Sequence, residues 1–594
     1  MSEKVESTLV LLQGIWGYLS QRRRVQIGLL LLMMFTSGVA ELVSLSAVLP
    51  FLAVLSDPER LWSHPVVQGL AKSVGFTAAG QLILPAMTIF AGAAVLAAMV
   101  RLANLWLNSR LVAAIGSDLS CEAYRRTLYQ PYWVHLRRNS SSVITATVTQ
   151  INLTVSALNA LLQLLTAAVV ASGLLIGLLL IDWPTALAVS ILFGSAYGWL
   201  AGSTRWKLRS NGEKIAEATN QQLKALQEGL GAIRDVLLDS SQATYLEIYL
   251  RADRPQRQLQ AQNQYFSAYP RYVLEALGTA ALALLGGLLV LQRGSGTLVI
   301  PLLGAFALGA QRLLPALQQV YNGWASLKSN NAAISDVLAI LQQPLPAGLQ
   351  LAEPMPLRKR VRLETVGFRY AQDLPEVLSQ LTLQIRPGER IGVIGSTGSG
   401  KSTLVDLMMG LLEPTSGKIM VDDNDIYDRN HPERLNAWRA SIAHVPQVIY
   451  LADSTIAENI AFGIHPLEID MERVRRAARQ AQIDSFIEAS DQGYKSLVGE
   501  RGIRLSGGQR QRIGIARALY KQANVLVFDE ATCALDNDTE RAVMHAIEGL
   551  SRNLTLVMIA HRLSTLSNCD RVIELRGGCI YREMKGVELF PQNS

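Results

Sequence analysis

The sequence predicts a two-part chain: an all-α domain of six membrane-crossing helices, then an α/β domain built on a phosphate-binding loop. Three observations carry that expectation. In a chain of 594 residues that is 49% hydrophobic and 17% charged, the long apolar runs crowd into positions 25–327, leaving a C-terminal part with the composition of a water-soluble domain. A glycine-rich loop, Gly395-Ser396-Thr397-Gly398-Ser399-Gly400-Lys401-Ser402, sits between a strand-like run and a helix-like one. Further on, the apolar run Val525-Leu526-Val527-Phe528 ends in two acids, Asp529-Glu530.

The spans come first. A helix needs roughly 20 apolar residues to cross hydrocarbon, and Val25–Leu55, Leu82–Trp106, Leu153–Leu180, Thr185–Leu200, Tyr272–Leu291 and Thr297–Leu327 supply six such segments. Short turns, Ile181-Asp182-Trp183-Pro184 and Arg293-Gly294-Ser295-Gly296, join the third span to the fourth and the fifth to the sixth. Arg22–Arg24, the stretch holding Arg110, Arg125, Arg126, Arg137 and Arg138, and the Lys/Arg-rich stretch Arg205–Arg271 fall on the opposite side. By the positive-inside rule that side, and both termini, are cytoplasmic. In the second cytoplasmic connection helical periodicity persists through Ile215–Leu230 and Tyr245–Gln262, so helices are expected to continue beyond the membrane.

The first apolar run follows Arg22-Arg23-Arg24, after acidic Glu3 and Glu6, and reads as a retained span rather than a removable signal. Ahead of it Leu9, Leu12, Ile15, Trp16 and Leu19 recur at helical spacing, which suits a helix lying in the interface. Pro65–Val74 reads as a short external helix or an ordinary surface loop. Pro344, Pro346, Pro354 and Pro356 punctuate a linker. The expected division is residues 1–24 as interfacial helix, 25–335 as membrane domain, 336–360 as linker and 361–594 as nucleotide domain. The net charge of +7 is spread over helix-flanking segments rather than gathered in one aromatic-interleaved stripe, which fits membrane topology better than a nucleic-acid groove. Cys121, Cys533, Cys569 and Cys579 show no CxxC spacing, so neither a zinc site nor a redox pair is expected.

The glycine-rich loop fits GxxxxGK[ST], whose glycines let backbone N–H groups turn toward phosphates. Lys401 then reaches the β and γ phosphates, and Ser402 ligates magnesium. Ile391–Ile394 before it reads as a buried strand and Thr403–Met409 after it as helix. Asp529 at the end of an apolar strand suits a magnesium-associated acid, and Glu530 a carboxylate placed to act on water.

With Leu505-Ser506-Gly507-Gly508-Gln509-Arg510-Gln511-Arg512 added, the segment from Val361 to the end resembles the nucleotide-binding domain of an ABC transporter. The resemblance implies ATP and Mg2+ as cofactors, bound by Gly395 to Thr403. It makes Ser506 to Gln509 the signature loop, Tyr370 an adenine-stacking ring and Gln447 the residue sensing magnesium and water. Ala534-Leu535-Asp536 becomes the D-loop and His561 the switch histidine at the γ phosphate. Taken singly, Tyr370 reads equally as a packed strand aromatic, Gln447 as a loop polar residue and His561 as a core histidine. Gly499-Glu500-Arg501-Gly502 is similar to the exporter loop that touches the membrane domain. Because one domain's signature loop covers ATP held by another's phosphate loop, a single copy of each implies a homodimer. Pro131–Arg138 and Gln222–Arg234 are the expected transmitters of its motion to the spans.

Charges inside spans are costly and by default functional, which singles out Glu41, Arg101, Glu275 and Arg312. Counted at 1.5 Å per residue, Arg312 lies roughly 22 Å from the outer start of its span and Glu41 roughly 24 Å from the inner start of its own, so a direct pair is not expected. Arg101 is expected to snorkel and Glu275 to be structural, while Arg312, with Arg101 and Arg271 at its level, suits a phosphate or pyrophosphate. Glu41–Leu52, Pro131-Tyr132 and Gln311-Arg312-Leu313-Leu314-Pro315 resemble bacterial lipid-linked oligosaccharide flippases. That resemblance implies a bacterial inner-membrane protein moving an anionic polyprenyl-pyrophosphate glycan among membrane lipids. A multidrug, lipid or peptide exporter of the same architecture stands as the alternative, and a membrane-anchored ATPase without cargo as a third.

Overall fold

The computed structural model describes residues 8–56, 58–62, 69, 76–181, 183–293, 299–346, 352–529, 537–548, 554–559, 566 and 569–586. The chain divides into two compact units, Met1–Leu128 with Arg138–Pro344 and Tyr129–Arg137 with Leu345–Ser594.

The first unit is helical. Helix α1 spans Thr8–Tyr18, α2 Gln21–Ser46, α3 Val48–Ser56 and α4 Ile83–Leu128. Past the short helix α5, Tyr132–Arg137, come α6 Ile151–Ile181, α7 Trp183–Gly231, α8 Gln242–Arg293, α9 Val299–Ser329 and α10 Asn331–Leu341. Four of the described helical stretches, Gln21–Ser44, Ala79–Leu128, Ser140–Leu180 and Ala186–Gly231, are long and apolar enough to cross a membrane. The other two expected spans fall on α8 and α9; their connecting turn and the expected external helix at 65–74 lie outside the described residues, residue 69 excepted. With 49 and 52 residues, α7 and α8 run about 70–80 Å, more than twice a ~30 Å hydrocarbon core.

Pro50 explains the break between α2 and α3. A proline ring clashes with the carbonyl four residues back, here that of Ser46, where α2 stops. Helices α2 and α6 approach closely at glycine: a Cβ on Gly38 would lie 2.7 Å from a Val169 methyl, and one on Gly173 3.2 Å from the Gly38 carbonyl. Small residues permit such crossings where no hydrophobic effect drives helices together. Leu11 and Ile15 of α1, with Leu19 just after it, are buried in one core with Ile334, Val337, Leu338 and Leu341 of α10. Of the face expected to lie in the interface, Ile15 and Leu19 are buried against protein and Leu12 partly so, while Leu9 and Trp16 stay exposed.

The second unit holds two sheets. Strands β1 Val361–Phe368, β2 Leu378–Ile385, β4 Ser416–Val421 and β5 Asn424–Asp425 form an antiparallel sheet ordered β2-β1-β4-β5. Strands β3 Arg390–Gly395, β6 Ile442–Val445, β7 Val525–Asp529, β8 Thr555–Ile559, β9 Arg571–Arg576 and β10 Cys579–Met584 form the other, ordered β10-β9-β3-β8-β7-β6. From β9 to β6 its pairs are parallel, with β10 antiparallel at one edge. Buried on both faces, such strands read as unbroken apolar runs rather than alternating ones; every residue of β8 is buried. Helix α5 belongs to this unit: an Arg137 guanidinium nitrogen donates to the Tyr370 carbonyl, and the Tyr132 hydroxyl is held above its ordinary pKa by burial, then by the Asp406 and Tyr370 charges.

Candidate functional site

In an open parallel sheet, ligands bind beyond the carboxyl ends of the strands. Three of the predicted elements meet there. β3 runs into the glycine loop and helix α11, Lys401–Met408. β7 ends at Asp529, and β6, paired with it through Val445 and Phe528, leads two residues later to exposed Gln447.

The loop needs its glycines. Gly395, Gly398 and Gly400 have φ of 155°, 81° and 99°, left-handed or mirror-extended backbone that other residues reach only with strain. At Gly395 a Cβ would also stand 2.5 Å from both the Leu575 carbonyl and Ser399 Oγ. At Gly398 the same position is open. Lys401 is buried, its Nζ donating to the carbonyls of Gly395 at 2.8 Å and Ser396 at 3.2 Å, which fixes the ammonium over the centre of the loop. Ser399 Oγ is buried without a hydrogen-bond partner. Together with the N-terminus of α11, this concave ring of backbone, ammonium and hydroxyl fits a polyphosphate.

For magnesium, the Ser402 hydroxyl is exposed at the start of α11, with the Asp529 carboxylate and the Gln447 amide near the same sheet edge. These are hard oxygen donors of the kind Mg2+ takes alongside nucleotide phosphates. Burial and then the Asp529 charge push the neighbouring Asp406 carboxyl up to about 6.

Tyr370 packs edge-on against Phe368, centroids 4.9 Å apart, and its hydroxyl lies 3.1 Å from Thr403 Oγ1; part of its surface remains open. The signature residues start helix α12, Gly507–Lys521. Ser506 Oγ accepts from the Gln509 amide at 3.2 Å while Gln509 Oε1 accepts from the Ser506 amide at 2.8 Å. This capping box satisfies two helix-end donors with the motif's own side chains. Glu530, Asp536 and His561 lie outside the described residues.

Residues 378–533 match the ABC transporter family model. Three relatives are named ATP-dependent lipid A-core flippase. That of Chromohalobacter salexigens is 33% identical, covering 80% of this chain and 81% of its own. That of Thiobacillus denitrificans is 31% identical over 92% of both, and that of Cupriavidus metallidurans 30% over 88% of both. The chain belongs to the ABC transporter family, as an exporter-type half-transporter. A solved structure described as a bacterial Atm1-family ABC exporter with ATP bound shares the fold, with TM-score 0.77 and 23% identity over 95% of this chain and 96% of that one. The chain is thus a multi-pass membrane protein that binds ATP and couples its hydrolysis to transport.

In the exporter's membrane unit the expected separation of Glu41 and Arg312 is wrong. Glu41 Oε2 lies 2.9 Å from an Arg312 guanidinium nitrogen and Oε1 lies 2.6 Å from one of Arg101. Ser44 Oγ accepts from Arg312 at 3.1 Å. Depth counting failed because it took the first apolar residue of each run as the membrane boundary. Helix α2 begins earlier, at Gln21, and α3 carries the helical path on to Ser56, so distance from one end does not give depth. Arg101, itself 52% exposed, also reaches the Glu41 carboxylate, which is only 2% exposed. Arg271 does not join this group. On α8 it forms a loose 3.9 Å pair with Glu275 one turn away, both more than half exposed.

The sequence reading passed over His444 on β6. Burial lowers its pKa to about 4, and its Nε2 is buried without a partner. Because an unfolded histidine protonates near 6.5, the unfolded state binds more protons between the two values. Stability is therefore full above about pH 6.5 and lost as pH falls toward 4, by at most ~3 kcal/mol. His444→Gln should flatten this acid limb in denaturant unfolding of the nucleotide domain followed at a series of pH values; an unchanged pH slope contradicts it.

Proposed function

We propose that two copies of this chain form an ATP-driven flippase in a bacterial inner membrane. Both termini and the ATP-hydrolysing domain face the cytoplasm. The cargo is an anionic lipid, most specifically a polyprenyl-pyrophosphate-linked oligosaccharide, moved from the inner to the outer leaflet. The observation that carries the cargo class is the convergence of Arg101 and Arg312 on one buried carboxylate. Two guanidiniums against one acid leave a net positive charge. Arg101, 52% exposed, and Arg312, 28% exposed, keep donors to offer a phosphate. The relatives named for a lipid A-core, another lipid-anchored saccharide, support the same class.

In this reading each ATP lies between Gly395 to Thr403 of one copy and Ser506 to Gln509 of the other, with Tyr370 against the base and Asp536 at the boundary. Ser402, Asp529 and Gln447 would hold Mg2+, which would supply positive charge against the phosphates. Lys401 grips the β and γ phosphates, Glu530 orients or deprotonates the attacking water, and His561 contacts the γ phosphate. Closure of the two nucleotide domains passes through α5 and the turn after α7 to the spans, and hydrolysis reopens them.

Mass spectrometry of lipids copurified with the full-length protein tests the cargo. A saccharide-bearing polyprenyl or other anionic glycolipid is expected. Only neutral lipids, with ATP hydrolysis stimulated by drugs or peptides instead, overturns the assignment.

A further inference from the structure

A cleft of about 550 Å3 opens between α2 and α4, lined by Arg23, Gln26, Leu29, Leu30, Trp106, Leu107, Arg110, Leu111 and Ala114. On α4 its lining begins at Trp106, five residues past Arg101, and no step of the transport reading uses it. Its volume lies within the roughly 300–1,000 Å3 of ligand pockets. Leu29, Leu30, Leu107 and Leu111 give it apolar surface, and Arg23 and Arg110 bring charge into the lining.

The arginines differ in what already holds them. Arg23 lies with Nε 2.8 Å from Asp118 Oδ2, and its other nitrogens donate to Asp118 Oδ1 at 3.4 Å and Gln26 Oε1 at 3.0 Å, so its guanidinium is oriented and mostly neutralised. Arg110 stacks over the Trp106 ring, 4.6 Å from its centroid, and has no carboxylate partner among the described residues. The cleft therefore carries one net positive charge, presented by Arg110. Position places that charge toward the cytoplasmic end: Arg110 lies in the half of α4 that finishes with Arg125 and Arg126. Arg23 sits at the cytoplasmic start of α2 beside Arg22 and Arg24. Trp106 takes the level where amphipathic rings collect in membranes.

We propose that this cleft is a binding site for an anionic glycerophospholipid of the cytoplasmic leaflet, its phosphate on Arg110 beside Arg23 and an acyl chain along Leu29 and Leu107. Basic pockets between membrane helices on the cytoplasmic side select anionic headgroups in this way. The lipid is a resident ligand, not cargo, so the site stands whether or not the cargo assignment does.

The test uses the purified full-length protein and native mass spectrometry, titrating dioleoyl phosphatidylglycerol against dioleoyl phosphatidylcholine. Wild type should retain phosphatidylglycerol in preference by about fivefold at a saturable number of sites. Arg110→Gln should abolish the preference, and Leu107→Trp, which fills space at the apolar surface without altering charge, should lower retention of both lipids. Basal ATP hydrolysis should persist in Arg110→Gln. Equal retention of both lipids by wild type, or an unchanged preference in Arg110→Gln, overturns the proposal. So does efficient disulfide cross-linking between copies through Leu107→Cys, which would make the cleft an interface between copies.

Discussion

Glu530→Gln should leave ATP binding intact, lower ATP hydrolysis by about 10^2–10^4, the range of a general base, and accumulate a closed, ATP-loaded dimer. Glu530 directly follows Asp529, the last residue of β7, at whose carboxyl end the glycine loop also lies. The substitution keeps shape and hydrogen bonding but removes the charge that orients or deprotonates water. Lys401→Ala makes the contrast. It deletes the ammonium fixed over the Gly395 and Ser396 carbonyls, and should weaken nucleotide binding as well as turnover. Phosphate release by the purified protein, with size measurement in ATP, separates the two. Normal turnover in Glu530→Gln removes that residue from its role.

Arg312→Ala should abolish lipid transport while basal ATP hydrolysis survives, and it should also destabilise the membrane unit. Breaking a buried ion pair costs roughly 3–5 kcal/mol when it strands a charge. The stranded group here is Glu41, 2% exposed. Arg101 stays at 2.6 Å, which places the expected cost toward the lower end. Glu41→Gln should cost less, because the arginines it releases are partly exposed and can be hydrated. The charge-neutral double variant, Glu41→Gln with Arg312→Gln, should be more stable than Arg312→Ala alone. Thermal unfolding of the four proteins in detergent checks the order, and a double variant that is the least stable contradicts it. Unchanged flipping in Arg312→Ala sinks the role of that arginine in transport.

The nucleotide half was legible because its chemistry fixes residue type and spacing together. A loop that turns N–H groups to phosphates needs Gly395, Gly398 and Gly400, and the acid beside it needs an apolar strand to carry it. Both signals are local, and the structure delivers them as β3, α11 and β7. The membrane charges were not legible in this way. Glu41 and Arg312 are 271 residues apart, and no local pattern reports which helices cross or at what level. Counting along apolar runs erred because the helices outrun the bilayer. The sequence marks Pro131–Arg138 as a transmitter of motion but not that α5 belongs to the nucleotide unit, since its Arg137 contact is with a backbone carbonyl, that of Tyr370. In α1 the helix is where the sequence places it, but its buried side holds Leu11 with Ile15 and leaves Leu9 and Trp16 exposed. Whether that face meets lipid or α10 depends on a helix more than 300 residues away, which periodicity cannot report.

The central claim is ATP-driven movement of an anionic lipid by two copies of this chain, and reconstituted flipping measures it most directly. Purified protein in proteoliposomes, given a labelled polyprenyl-pyrophosphate glycan in the leaflet facing the nucleotide domains, should move it to the opposite leaflet with ATP and Mg2+. Movement should stop with Glu530→Gln and with Arg312→Ala. Equal movement without ATP, or no movement of this lipid while a neutral drug or a peptide is transported, contradicts the account.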